Sequence, residues 1–397
     1  MRKHKPRCLL RLLNCLLSKD FVLIQGRTQK LSMMRWFGAL LGLIGVLATG
    51  AQFLTPRSYP PPRLGPAETV ETRNPKIGVH LRLSGTDDEA ALSEQLAQVR
   101  EMGASWAVDL FPWAYVQPRG PRAFDWRGAD LIVAHARRQG VQLIARIDIV
   151  PEWARDRDAT DRRIDPQYYD DFARYVAAFA ARYRDDVRYL ALWNEPNLNF
   201  EWGSRPPDPG AYAALLKAVY PAVKQANPAA QIAAGALSPG PSVPGIRMDD
   251  LQFLRGMLDA GAPFDVLAVH AYGGREPADA APAPERVNFR RIELYRDVLR
   301  EFGQPRSMII TEGGWNDHPR WSGAVTPAER LRWTIDAYQQ SLAQDDLLAV
   351  CLWQFRAPIT HGYQDNYSFV AADGTPKAIY WAVREYATGR RETDPSK

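Results

Sequence analysis

The stretch LALWNEPN at residues 190–197 is an apolar run that ends abruptly in an amide, a carboxylate and a proline. A second stretch of the same form, MIITEGG at residues 308–314, carries Glu312 where the first carries Glu195. Each pattern predicts a short buried strand that gives way to a loop at its glutamate. In a parallel α/β barrel the carboxyl ends of the strands form the active-site face, so we expect both carboxylates to face one substrate bond.

Short apolar runs alternate with amphipathic helical patterns from residue 76 onward. We predict strands at residues 77–81, 106–110, 142–147, 189–193, 231–235, 266–270, 307–311 and 349–355. Helices are predicted at residues 128–138, 166–183, 210–225, 249–259, 287–302, 327–343 and 377–386, after a first helix that begins at a capping box of Thr86 and Glu89. Eight strands that are each followed by a helix favour an α/β fold of the (β/α)8 TIM-barrel type. An open doubly wound sheet is the alternative, but HLRLSG at residues 80–85 lacks the glycine-rich phosphate turn that such sheets usually show.

The composition is that of a globular protein with a basic leader. The 397 residues are 46% hydrophobic and 24% charged, which suffices for one barrel with inserted loops. Residues 1–35 hold nine Lys and Arg and one acidic residue. The whole chain has 50 Lys and Arg and 45 Asp and Glu, so residues 36–397 have 41 basic and 44 acidic residues. Residues 36–397 have no net attraction for nucleic acid, so we expect no nucleic-acid partner. Separately, we expect the protein to be a monomer.

Cysteine usage limits the chemistry further. Only Cys351 follows the leader, so neither a disulfide within the barrel nor a cysteine-based metal site is possible there. The sequence also shows no histidine-rich or clustered carboxylate spacing of the kind that holds a catalytic metal. We therefore expect no metal and no cofactor.

The N-terminal region predicts a membrane or export segment before the barrel. Residues 36–54 carry no charge and follow Arg35, and their number is close to the roughly 20 that span a bilayer, which favours an N-terminal hydrophobic helix acting as a signal anchor. A cleavable signal peptide is the alternative, because ATGA at residues 48–51 supplies small side chains. Met33 and Met34 offer a second start for translation, which would omit residues 1–32 and with them nearly all of the basic leader at residues 1–35.

The remaining boundaries follow from proline content and from the strand pattern. Residues 55–73 hold five prolines between positions 56 and 66, which predicts a semi-rigid Pro-rich linker. Residues 74–390 are assigned to the barrel and residues 391–397 to a tail. We expect the barrel to lie outside the cytoplasm, either membrane-anchored through the N-terminal helix or secreted.

The motif WNEPN at residues 193–197 resembles the Asn-Glu-Pro signature of clan A glycoside hydrolases, the retaining (β/α)8 enzymes that include families 5 and 39 and their cellulase and β-xylosidase types. The resemblance covers residues 76–386, and supporting pieces recur in order along the chain. They are DW at residues 125–126, PEWA at 151–154, HAY at 270–272, TE at 311–312, Trp353, and the segment at 367–377 that is similar to a barrel-closing hairpin. The resemblance implies a glycosidase with a carbohydrate substrate.

Cleaving a glycosidic bond needs a proton for the leaving oxygen and a negative charge opposite the developing oxocarbenium ion. Glu195 is the candidate acid/base, and the resemblance makes Glu312 the nucleophile of a retaining reaction. Asn194 would bind the sugar 2-hydroxyl. Tyr272 would donate a hydrogen bond to Glu312 and hold it ionised, or would otherwise be a packed loop aromatic.

Other predicted substrate contacts have open alternatives. Trp353 would form the floor under the sugar ring, or would be an ordinary core tryptophan. Trp202 and Trp315 fall in strand-to-helix loops, where they would extend the cleft or pack the loop base. His270 would line the subsite or be a satisfied histidine at the barrel rim. Further polar groups near strand ends could reach ring hydroxyls or form ion pairs: Arg82, Asp109, Arg146, Asp148 and Arg356.

Two departures from the resemblance concern the subsite that holds the sugar before cleavage. Family members often carry an arginine near the end of the second strand, where this chain has Val108-Asp109-Leu110, and a histidine after the third, where it has DIVP at residues 148–151. We predict a retaining O-glycosyl hydrolase that acts on β-linked oligo- or polysaccharides. A membrane-tethered carbohydrate-binding protein without turnover, suggested by the missing arginine, and a transglycosylase are the alternatives.

Overall fold

The computed structural model describes residues 59–358 and 362–390, and its centre is a closed barrel of eight parallel strands. The strands are β1 (Ile77–His80), β2 (Trp106–Leu110), β3 (Gln142–Ile147), β4 (Tyr189–Leu192), β5 (Gln231–Leu237), β6 (Val266–Tyr272), β7 (Met308–Gly314) and β8 (Leu347–Leu352). They pair in chain order, and β8 closes onto β1. The predicted barrel is confirmed, and the open sheet is excluded. The predicted strands differ mainly at their ends, where β5, β6 and β7 continue farther toward the loops.

Nine α-helices surround the barrel in the described part of the chain. They are α1 (Glu89–Glu101), α2 (Trp113–Val116), α3 (Arg127–Arg138), α4 (Tyr169–Arg182), α5 (Pro209–Ala226), α6 (Asp250–Asp259), α7 (Ile292–Glu301), α8 (Pro327–Leu342) and α9 (Ala378–Thr388). Short 3₁₀ turns precede α4 and α7, at Pro166–Tyr168 and Phe289–Arg291, so these helices begin later than the sequence predicts.

The predicted capping box at the first helix is wrong. The N-cap of α1 is Asp88, whose side chain accepts a hydrogen bond from the backbone N–H of Ala91. Thr86 instead accepts from the N–H of Asp88 in the preceding turn. A complete capping box is present at α8, between Thr326 and Glu329. Asp88 caps α1 because it lies directly before the first helical residue, where a side-chain oxygen reaches the free N–H groups.

Strand side chains alternate between two apolar regions. One set packs inside the barrel and includes Val108, Ile144, Ala191, Ile309 and Cys351. The neighbouring residues along each strand point outward and pack against the helices. Both faces of every strand are therefore buried, which explains why the strands appear in the sequence as continuous apolar runs. Cys351 is buried and free.

The N-terminal part of the described chain lies along the barrel. The backbone N–H of Glu68 donates to the carbonyl of Arg138, and that of Arg73 donates to the carbonyl of Ala387. The predicted signal segment at residues 36–54 and the tail at 391–397 lie outside the described residues. Within residues 59–358 and 362–390, none of the helices combines the length and the apolar character needed to cross a bilayer.

A Gly78→Ala substitution tests how tightly the barrel interior is packed. A Cβ at Gly78 would lie 2.5 Å from the sulfur of Cys351 and 2.9 Å from the Cβ of Trp106, both on neighbouring strands. We expect the free energy of unfolding to fall by about 1–3 kcal/mol, the usual range for overpacking. The matched control is Gly128→Ala in α3, where nothing lies within 4 Å and the change should be neutral or slightly stabilising. Equal effects of the two substitutions in urea unfolding would contradict this packing.

Candidate active site

A cavity of about 870 Å³ opens at the carboxyl ends of the strands. Five of the predicted site residues line it: Asn194, Glu195, Tyr272, Glu312 and Trp353. They come from the ends of β4, β6, β7 and β8, which are distant in sequence and meet only because the barrel closes. The cavity is therefore at the face where parallel barrels place their chemistry.

The backbone after β4 turns sharply to present Glu195. Trp193 and Glu195 both have positive φ angles, 73° and 38°. The indole of Trp193 is buried, and its Nε1 donates to the carbonyl of Glu201 at 2.8 Å. The N–H of Glu195 donates to the carbonyl of Ala236 at 3.0 Å. A left-handed backbone at two non-glycine residues is unfavourable, so these contacts hold a turn that the chain would otherwise avoid.

Asn197 fixes the same turn from its other end. Its side-chain amide donates to the carbonyls of Ser238 and Met248, and its Oδ1 accepts from the N–H of Ser238 at 2.8 Å. The asparagine is fully buried. Residues 193–197 are thus attached to the loop that follows β5, which explains the polar residue after the proline.

Glu312 lies within β7, opposite His270 of β6 in the strand register. Arg146 Nη1, from β3, donates to its Oε1 at 2.7 Å. The Tyr272 hydroxyl donates to its Oε2 at 2.7 Å, which is the hydrogen bond that the sequence predicts. Both oxygens of the carboxylate are therefore occupied by donors, and its orientation toward the cavity is fixed.

The surroundings of Glu312 favour its ionised form. Burial by itself would raise the pKa of this carboxyl, because the charged form loses hydration. The positive charges of His270 and Arg146 and the hydrogen bond from Tyr272 outweigh burial, so the pKa of Glu312 lies well below its usual range. Glu312 is consequently an anion at neutral pH.

His80, at the end of β1, is a site residue that the sequence did not reveal. Its Nδ1 lies 2.8 Å from the carbonyl of Leu81, and its Nε2 lies 3.3 Å from Arg146 Nη1. A carbonyl only accepts, so Nδ1 carries the proton and Nε2 accepts from Arg146. Burial, and then the charge of Arg146, lower the pKa of His80 to about 3, so the ring is neutral at pH 7. The only available signal was a histidine where a buried strand ends.

His270 does not line the cavity but lies beneath both carboxylates, fully buried. Its Nδ1 is 2.8 Å from Glu195 Oε1 and 3.8 Å from Glu312 Oε2. Burial lowers its pKa, but the charges of Glu312 and Glu195 and the hydrogen bond to Glu195 outweigh it, and the net shift is upward. The predicted direct contact with substrate is therefore replaced by a contact with the two glutamates.

A chain of alternating charges continues from Arg146 away from Glu312. Arg146 Nε is 3.5 Å from Asp148 Oδ2, and Arg162 Nη1 is 2.6 Å from the same oxygen. Arg162 Nε in turn lies 3.3 Å from Glu201 Oε2, at the cavity wall. Burial raises the pKa of Glu201. Asp148 thus holds two arginines in place and does not itself line the cavity.

Strand β2 contains no arginine, and the guanidinium beside Glu312 comes from β3. Asp109, on β2, is fully buried and accepts a hydrogen bond from the N–H of Leu83, and burial raises its pKa to about 7. It does not line the cavity, contrary to the expectation that it could reach a sugar hydroxyl. Arg146, on β3, supplies the guanidinium that contacts Glu312, and it also donates to Asn194 Oδ1 at 3.1 Å.

The predicted aromatic contacts divide into two groups. Trp353 is partly exposed at the cavity floor, 4.7 Å from the ring of His80. Trp202 and Trp315, predicted either to extend the cleft or to pack the loop base, do not line the cavity. Each is 2% exposed, and they pack against Trp193 and Trp333 respectively. Their loops fold back onto the barrel, so these indoles fill the loop base.

Comparison with known proteins agrees with the fold. No family model and no curated protein matches the chain. Similar solved structures include a family 39 glycoside hydrolase from the gut symbiont Bacteroides cellulosilyticus WH2, with 20% identity and a TM-score of 0.60 over 79% of this chain and 64% of that protein. This chain thus spans just under two thirds of that protein's length.

Two further solved structures are similar over nearly the same part of the chain. A GH5_18 protein from Bifidobacterium longum subsp. infantis has 15% identity and a TM-score of 0.58 over 81% of this chain and 80% of that one. A glucosidase from Croceicoccus marinus has 16% identity and a TM-score of 0.55 over 81% of this chain and 68% of that one. The chain therefore has the (β/α)8 barrel that occurs in glycoside hydrolases of several families.

The different positions of the tryptophans predict different effects on stability. Trp202→Ala should lower the free energy of unfolding by about 3–5 kcal/mol, because it empties a fully packed position. Trp353→Ala should lower it by less than half as much, because one face of that indole already borders the cavity. Chemical denaturation of the two variants measures the difference. Equal losses would mean that Trp353 is a core residue and not a cavity floor.

Proposed function

We propose that this chain is a retaining O-glycosyl hydrolase that cleaves β-linked oligo- or polysaccharides, with Glu195 as acid/base and Glu312 as nucleophile. The observation that carries the proposal is the pair of carboxylates that contact one nitrogen of His270 and border one cavity. Glu312 accepts hydrogen bonds from Arg146 and Tyr272, whereas Glu195 has His270 as its partner. Two carboxyl groups in different environments suit two different roles.

The contacts with His270 set an upper limit on the separation of the two carboxyl groups, and the separations of retaining enzymes lie below that limit. Glu195 Oε1 and Glu312 Oε2 lie 2.8 Å and 3.8 Å from the same nitrogen, so their distance cannot exceed the sum of these values. That upper limit coincides with the shortest carboxyl separations of inverting enzymes, about 6.5 Å, whereas retaining enzymes have about 5–5.5 Å. An inverting reaction would need more room for a water molecule between a carboxylate and the sugar.

The charge distribution supports the same assignment. In the first step Glu312 would attack the anomeric carbon and form a glycosyl ester, while the proton of Glu195 goes to the leaving oxygen. In the second step Glu195 would take a proton from water, which attacks the anomeric carbon and releases Glu312. The imidazole of His270 lies where it can stabilise Glu195 after that carboxyl has lost its proton.

The contact between Arg146 and Glu312 favours an enzyme over a binding protein without turnover. The reason to consider loss of turnover is the missing arginine of the second strand. Arg146 provides an equivalent charge from the third strand, at hydrogen-bond distance from the proposed nucleophile. Aromatic side chains at the cavity wall, including Trp353 and Trp321, offer flat apolar faces for sugar rings.

The location of the barrel outside the cytoplasm is also a proposal, based on the uncharged segment at residues 36–54.

Substitution of the two glutamates tests the catalytic assignment. Purified protein is assayed on a panel of aryl β-glycosides and β-linked polysaccharides. We expect Glu195→Gln to lower kcat by about 10²–10⁴ on substrates with poor leaving groups, the typical contribution of a general acid. Glu312→Gln should abolish turnover on all of them. The matched control is Glu152→Gln, an exposed carboxylate after β3 that does not line the cavity and should keep the full rate. Full activity in both active-site variants would refute the proposal.

The pH dependence of the reaction tests the role of Arg146. Glu312 must be ionised to attack, and its depressed pKa keeps it ionised as the pH falls until that pKa is reached. Loss of the arginine charge in Arg146→Gln should raise the pKa of Glu312, so the acid limb of kcat/KM should move to higher pH by about one unit or more. Arg146→Lys keeps the charge and should move the limb less. An unchanged acid limb in Arg146→Gln would contradict this role.

A further inference from the structure

The charged side chains around the cavity are unevenly balanced. Five arginines line it, and the carboxylates among its lining residues are three glutamates. The arginines are Arg82, Arg146, Arg162, Arg247 and Arg275. Neither lysine nor aspartate lines it among the residues that the structure describes. Residues 36–397 as a whole carry a slight negative charge. The excess of positive charge is therefore a property of the cavity and not of the whole surface.

Two of the arginines are neutralised by the protein itself. Arg146 pairs with Glu312 at 2.7 Å. Arg162 pairs with Asp148 at 2.6 Å and with Glu201 at 3.3 Å. These two guanidinium groups belong to the network that orients the proposed nucleophile. The presence of Arg82, Arg247 and Arg275 at the cavity needs another explanation.

Arg247 is held in place without being neutralised. It lies in the loop after β5, and its Nε and Nη1 donate to the carbonyls of Pro241 and Pro239 at 2.9 and 3.1 Å. Carbonyl oxygens fix the direction of the guanidinium but carry no net charge. A cation anchored in this way at a cavity wall is pre-organised to meet an anion.

Arg82 follows β1, on the side of the barrel opposite β5. Its guanidinium lies over the ring of Trp353, 5.8 Å from the centroid, and its hydrogen-bond partner is the neutral side chain of Gln364 at 3.3 Å. Burial, and then the charge of Arg146, lower the pKa of Arg82 by more than the charges of Glu312 and Asp109 raise it. The cation is thus next to the proposed sugar floor, and among the described residues its direct contacts are with neutral groups.

Arg275 follows β6 and is exposed at the cavity mouth. No carboxylate in the described part of the chain lies within ion-pair distance of it. Arg247 and Arg275 therefore lie on the β5–β6 side of the glutamate pair, and Arg82 lies on the β1 side. A sugar chain that crosses the pair would meet an unpaired arginine on both sides of the bond to be cleaved.

We propose that the substrate is an anionic glycan, with a negatively charged group on sugars on both sides of the cleaved bond. The inference rests on the proposed function for the position of that bond. Guanidinium groups pair with planar carboxylates and with sulfate esters through two parallel hydrogen bonds, so uronic acids and sulfated sugars share the required chemistry. A bound neutral glycan would displace water from Arg82, Arg247 and Arg275 without supplying a negative charge, which is unfavourable.

Three forms of one polysaccharide separate the role of charge from that of linkage. They are unsulfated chondroitin, whose glucuronic acid is β-linked, the same polymer with its carboxylates reduced to alcohols, and carboxyl-reduced chondroitin 4-sulfate. Binding of oligosaccharides to the full chain carrying Glu195→Gln is measured by calorimetry. We expect the carboxylate form or the sulfate form to bind at least about tenfold more tightly than the neutral form, and the tighter of the two identifies the anionic group.

Substitution of the unpaired arginines connects this selectivity to the cavity. Arg82→Gln and Arg275→Gln should each weaken binding of the charged form several-fold and leave the neutral form unchanged. Arg300→Gln, at an exposed arginine of α7 outside the cavity, is the matched control and should change neither. Added salt should weaken binding of the charged form, because exposed charges are screened.

The outcomes distinguish this inference from the proposed function. Equal affinity for all three forms, or a Kd weaker than about 1 mM for both charged forms, overturns the anionic substrate. Hydrolysis of neutral glycosides by the wild type together with such a result would leave the glycosidase proposal intact. Charge-selective binding by a protein that hydrolyses none of the substrates would support the anionic ligand and refute the hydrolase.

Discussion

The ion pair between Arg146 and Glu312 is the interaction on which the rest of the site depends. Both side chains are only 9% exposed, and removing a charge from water costs several kcal/mol unless a partner and hydrogen bonds compensate it. The structure supplies these partners from four other places in the barrel. Arg146 contacts Asn194, His80 and Asp148, and Tyr272 donates to the second oxygen of Glu312. Loss of one partner would leave a buried charge uncompensated, so the network acts as a unit.

A second set of contacts explains why the backbone after β4 accepts an unfavourable conformation. Positive φ angles at Trp193 and Glu195 place the second carboxyl over His270, within reach of the first. The buried indole of Trp193 and the amide of Asn197 hold this turn through contacts with backbone carbonyls. Local strain of this kind persists only where the surrounding structure over-determines it, and it is common at catalytic sites. Here the contacts that hold it extend into the next loop of the barrel.

The sequence predicted the barrel and the glutamate pair because both are local patterns. Buried parallel strands are apolar runs, and a glutamate at the end of such a run is visible without knowledge of the fold. Tyr272 was predicted as a partner of Glu312, but the contacts of Arg146 and His80 with Glu312 were harder to predict. Arg146 lies on a different strand, so nothing local connects it with Glu312, and His80 is a single histidine. Trp202 and Trp315 were assigned to the cleft because they lie in loops, but burial in a loop depends on how that loop folds back. Tertiary packing decides such positions.

The central claim is that Glu312 attacks the sugar and that the reaction proceeds through a glycosyl ester. The stereochemistry of the first-formed product tests this claim most directly, because two displacements at the anomeric carbon restore its configuration and one displacement inverts it. Proton NMR of a reaction started with a β-linked substrate should show the β-anomer first, with the α-anomer appearing only later by mutarotation. Initial formation of the α-anomer would contradict the nucleophilic role of Glu312.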